Sequence, residues 1–166
     1  MEAARSHRSR RAKKFVLASV AVAAICGAAY AQRPAANAAA TIQARQGNYK
    51  QMAGALKGIS DQLRSGSPDI AQIRPRAALL ADRSVRVLTW FPHGTGAEAG
   101  IRTRARPEIW SNPAGFREKG ATFVVAARAL NRAAQAGDIA QVRAAFPTVQ
   151  HACGGCHDSF RAPEQQ

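Results

Sequence analysis

The chain has 166 residues, with 24 Lys and Arg against 10 Asp and Glu, a formal net charge of +14 and a pI near 11.3. That length suits one domain. Three cysteines (Cys26, Cys153 and Cys156) are too few for a disulfide framework, and the scattered Arg residues argue against a nucleic-acid groove.

The N-terminus reads as a targeting segment. Arg5, Arg8, Arg10, Arg11, Lys13 and Lys14 stand against one acid, Glu2, before an apolar run from Phe15 to about Ala29. Ala29-Tyr30-Ala31 then places small residues where a signal peptidase reads, so residues 1–31 form a cleaved secretory signal. The run is short for a membrane span, and no stable membrane insertion is expected after cleavage. Bulky Ile25 before Cys26 speaks against a lipoprotein anchor. Ser9-Arg10-Arg11 is a faint twin-arginine signal, and the general secretory route to the periplasm is favoured. Cleavage takes six bases and one acid from the totals of 24 and 10, leaving a mature chain near +9 whose only cysteines are Cys153 and Cys156. Such a surface steers toward acidic redox partner proteins.

Residues 32–40 are Ala-rich without apolar periodicity and read as a disordered lead-in. From Thr41 to Leu63, Ile42, Tyr49, Met52, Leu56, Ile59 and Leu63 recur at helical steps and mark an amphipathic helix. Ser67 and Pro68 suit the cap and first position of a second helix, reaching about Val87, with Ile70, Ile73, Leu79, Leu80, Val85 and Leu88 inward. Pro75 should kink or interrupt it. Phe91 to Ser111, bracketed by Trp90 and Trp110 and punctuated by Pro92, Gly94, Gly96, Gly100 and Pro107, is a long connection. Asn112-Pro113 opens a third helix to about Ala136, with Phe116, Phe123, Val124, Ala127 and Leu130 inward. Gly137 stops it, and Asp138 caps a fourth helix to about Arg161 that bends at Pro147. Ile139, Val142, Phe146, Val149, Cys153, Cys156 and Phe160 form its inner stripe. Residues 41–162 are thus an all-α, antiparallel four-helix bundle with one longer crossing.

The last stripe carries Cys153-Gly154-Gly155-Cys156-His157, the pattern of a c-type haem attachment site. Two thiols add across the vinyl groups of one porphyrin edge. On a helix these cysteines share a face, and the adjacent His157 can stand beneath the iron as an axial ligand. A thioredoxin-like dithiol needs a strand–helix context that the surrounding pattern lacks. Zinc would have to take His151, Cys153, Cys156 and His157 from seven residues, with no second pair. A Cys153–Cys156 disulfide is the remaining rival. His151 falls off the stripe and is expected on the surface. One haem c, held covalently through Cys153 and Cys156, is therefore expected on the C-terminal helix, facing the core.

A haem motif on the last of four helices resembles the class II c-type cytochromes, the cytochrome c-prime group and its low-spin relatives. Cys156-His157-Asp158-Ser159-Phe160-Arg161 is similar to the family's haem-helix ending, and Ile42-x-x-Arg45-x-x-x-Tyr49-Lys50 is similar to its first-helix signature. Glu108-Ile109-Trp110 with Phe116 resembles the segment before the third helix. The resemblance spans nearly all of residues 41–162. It implies that Arg45, Tyr49 and Met52 shape the distal face of the haem, while Arg161 lies near the proximal His157 beside Phe160. It also implies a homodimer through the first two helices, although their outward residues are polar.

Low-spin relatives carry a Met ligand where this chain has Tyr49, and Met52 lies about 60° further around the helix. A five-coordinate iron under Tyr49 is favoured. Ligation by Met52, by Tyr49 oxygen (its pKa lowered by Arg45) or by His93 stays open. The function read from the sequence is one-electron carriage through Fe(III)/Fe(II) by an exported protein that is not an enzyme. The alternative is capture of nitric oxide or carbon monoxide, diatomic gas ligands, at open iron. A peroxidase would need a distal acid–base pair, and the first helix has no His to supply it.

Overall fold

The computed structural model describes residues 37–163; the signal segment and residues 32–36 lie outside them. Helix α1 spans 37–64, so the last four residues assigned to the lead-in are helical. Six further elements follow. They are α2 (Ile70–Ser84), two 3₁₀ turns (Val87–Trp90 and Ala97–Ala99), the short α3 (Glu108–Ser111), α4 (Pro113–Ala136) and α5 (Ile139–Phe160). The described chain from Ala39 onward is one compact unit.

Local chemistry sets each boundary. The cap of α2 is Asp69, two residues beyond the expected Ser67. Its carboxylate accepts from Ala71 N at 2.8 Å, and its own N–H donates to Gln62 Oε1 at 2.9 Å. A carboxylate there also complements the helix dipole, which a serine hydroxyl does less well. Helix α2 runs through Pro75 without interruption and stops at Ser84. Val85 consequently points outward, 47% exposed, instead of joining the core. The α4 boundaries match the sequence reading. Asn112 Oδ1 accepts from Gly115 N, and Gly137 closes the helix at φ +81°, where its N–H reaches Ala133 O and Ala134 O. Asp138 then caps α5 through Gln141 N at 2.9 Å.

The four long helices share one core. Met52, Ala55 and Ile59 of α1 meet Ile73, Ala77 and Leu80 of α2, Phe123, Ala127 and Leu130 of α4, and Val142, Phe146 and Val149 of α5. A smaller cluster of Ile109, Phe116 and Phe160 closes the end where the haem motif lies. Gly120 allows the 3₁₀ turn to approach α4, since a Cβ there would lie 2.6 Å from Leu88 Cδ2. Among the described residues the only β-type pairing is an isolated bridge, Ala105 to Arg161.

Candidate haem site

Helix α5 brings the motif to the junction of the two clusters. Val142, Phe146, Val149 and Phe160 are buried, and Cys153 and Cys156 are half-buried on the same stripe. Cys153 packs against the large core and Cys156 against the small one. Both thiols are free. Burial, and then its neighbour's charge, push the Cys153 thiol up to about 11. Burial also raises Cys156, against the pull of Lys119. In the haem-free chain both sulfurs therefore stay protonated at neutral pH.

His157 is half-buried. Its pKa is held below the usual imidazole value, first by burial and then by Arg161 and Arg104, against Asp158. The ring is thus neutral near pH 7, the form that offers a lone pair to a metal. Arg161 is exposed, its N–H donates to His157 O at 3.0 Å, and its charge reaches both His157 and Tyr49. Phe160 stacks edge-on against Phe116 with centroids 5.2 Å apart. His151 is exposed, as its register requires.

On the opposite side, α1 presents Tyr49. Its ring stands T-shaped on Trp90 at 5.4 Å and tilted on Phe91 at 6.4 Å. Burial is the main force holding its hydroxyl well above the usual phenol range. The charges of Cys156 and Cys153 add to that, and those of Arg45 and Arg161 oppose it. The Arg45 pull expected from the sequence exists but loses to desolvation, so the phenol stays neutral. Tyr49 and Cys153 both pack, half-buried, against the large core. Met52 is buried in the large core, 7% exposed. His93 is exposed on the crossing segment, beside Glu98 and Trp110 in a shallow surface depression.

Arg45 lies on α1 one turn before Tyr49 and is 3% exposed. Its guanidinium turns to the crossing segment, where Trp90 O, Thr95 O and the Thr95 and Thr103 hydroxyls accept from it. The partner residues Thr95 and Thr103 went unnoticed in the sequence. No local pattern links them to an arginine fifty residues earlier.

Two neutral thiols one helical turn apart, wedged between apolar clusters and followed by a neutral imidazole, fit a covalent haem. A four-helix bundle with this site on its last helix is a c-type haem protein of the bundle class. The cytochrome C' family profile matches residues 40–161. Cytochrome c' of Alcaligenes xylosoxydans xylosoxydans is 36% identical over 121 residues, 72% of this chain and 91% of that protein. A solved cytochrome c' described by its unusual ligand-controlled dimer dissociation superposes with a TM-score of 0.70 at 27% identity, covering 76% of this chain and 97% of the other. A nitric oxide complex of a cytochrome c prime variant from Alcaligenes xylosoxidans gives 0.66 at 33% identity, covering 75% and 94%. The chain belongs to the cytochrome c' family. Its cofactor is haem c, attached through Cys153 and Cys156.

Proposed function

We propose that this chain is an exported haem c protein that binds a small diatomic ligand, nitric oxide or carbon monoxide, beneath Tyr49. The observation that carries the reading is the half-buried Tyr49, which packs against the same core as Cys153 and keeps its phenol neutral, while Met52 one turn on is buried in that core. The haem supplies an iron with an exchangeable coordination position and an Fe(III)/Fe(II) couple. Cys153 and Cys156 would hold the porphyrin, and His157 would offer its neutral ring to the iron. The Tyr49 hydroxyl would donate a hydrogen bond to the guest, its ring held by Trp90 and Phe91. The nitric oxide complex of a relative supports this reading.

The test is the optical spectrum of the haem-loaded protein in both oxidation states. A high-spin spectrum that changes on adding carbon monoxide is expected. A low-spin spectrum indifferent to the gas overturns the reading and leaves electron carriage. That second reading is favoured by the bases around the motif: Lys119 acts on Cys156, and Arg104 and Arg161 act on His157. They suit an acidic redox partner. No enzymatic role is assigned, because a peroxidase needs a distal acid–base pair and Tyr49 is held neutral.

Export to the periplasm rests on the signal segment, and N-terminal sequencing of the mature protein should begin at Gln32. No helix among the described residues is long and apolar enough to cross a membrane. The dimer of the relative suggests self-association here, measurable by sedimentation with and without carbon monoxide.

A further inference from the structure

The Arg45 side chain is tied to residues 45 to 58 positions further along the chain. It leaves α1 one turn before Tyr49, only 3% exposed, and donates to Trp90 and to the crossing segment. Nη1 donates to Trp90 O at 3.3 Å and Thr95 Oγ1 at 3.2 Å. Nη2 donates to Thr95 O at 3.0 Å and Thr103 Oγ1 at 2.9 Å. The guanidinium carbon lies 4.4 Å from the centre of the Phe91 ring. A buried guanidinium is tolerated here because neutral acceptors and a π face satisfy its planar fork together. An ammonium, being a point donor, could not hold Thr95 and Thr103 at once.

The path continues beyond Thr103. Its hydroxyl also accepts from Ala105 N at 3.2 Å. Ala105 bridges to Arg161, with Ala162 N donating to Arg104 O at 2.8 Å and Arg106 N to Phe160 O at 3.1 Å. Arg161 N then donates to His157 O at 3.0 Å. Contiguous hydrogen bonds and one antiparallel bridge therefore join the helix that carries Tyr49 to the backbone of His157.

We propose that Arg45 is a positioning residue which, through segment 91–107, couples the Tyr49 side of the haem to the His157 side. Hydrogen bonds of this kind are kept or broken rather than stretched continuously. A guest that displaces α1 around Tyr49 therefore biases the tie at the end of α5. The coupling deepens the ligand-binding reading and depends on it for the guest alone.

The experiment uses haem-loaded protein and follows amide hydrogen exchange at Arg106 and Ala162, the donors that close the bridge. In Arg45→Gln both should exchange about tenfold faster, with Arg45→Lys intermediate and Thr103→Val smaller but in the same direction. Thr103→Val carries the test should Arg45→Gln fail to fold. Carbon monoxide should change exchange at these amides in the reduced wild type and not in Arg45→Gln. Wild-type exchange in both Arg45→Gln and Thr103→Val overturns the proposal, as does a wild type that binds the gas without any change at these amides. If the wild type binds no carbon monoxide, the gas reading fails separately. The tie is then judged by the midpoint potential, which Arg45→Gln must shift and the exposed-charge control Arg128→Gln must not; equal shifts overturn it.

Discussion

The two ends of this bundle are held by different forces. The body is a core of Ile, Leu, Val, Ala and single aromatics contributed by all four long helices. Hydrophobic burial there is non-directional and follows from helical periodicity alone. The haem end has a small core of Ile109, Phe116 and Phe160. Around it runs an aromatic chain from Tyr49 through Phe91 to Phe116, with Arg45 and Thr95 buried among polar contacts. Its order depends on particular donors meeting particular acceptors. The comparison teaches that the scaffold and the site can fail independently.

Four variants would sharpen that division. The largest effect is expected from replacing Cys153 and Cys156 together by Ser. Pigment should then pass into acid acetone while the wild type retains it, and retention by the variant would break the attachment assignment. Leu130→Ala empties a fully buried position in the body. It should cost about 2–5 kcal/mol in urea unfolding and leave the haem spectrum unchanged. Gly137→Ala places a Cβ at φ +81°, 3.2 Å from Arg74 Nη2. A loss of about 1 kcal/mol is expected, again without a spectral change.

Tyr49→Phe should change stability least at neutral pH, yet it should speed loss of bound gas. Its signature lies in alkali. The folded phenol titrates above its unfolded value because of burial. The wild type is therefore at full stability below about pH 10 and loses stability as pH rises beyond that, where only the unfolded chain ionises. The phenylalanine variant should lack this loss, so the difference between the two unfolding profiles should open above about pH 10. Parallel profiles would show that the hydroxyl is solvated.

Legibility in the sequence follows the same division. The α4 limits were readable because Asn112, Pro113 and Gly137 each act on their own backbone. Capping at Asp69 instead of Ser67 was not, since it depends on Gln62 reaching across the turn to Asp69 N. The short helix Glu108–Ser111 was hidden inside a segment full of glycine and proline. The thiols and His157 were legible as a motif because one porphyrin edge demands that spacing.

By itself the sequence determined the helical class, the stripe of each helix and the residues that carry the cofactor, because all of these depend on neighbours within a turn or two. Only the tertiary structure decided where Arg45 turns and that Tyr49 stays neutral. Those outcomes rest on desolvation and on partners tens of residues away, which chain order does not reveal.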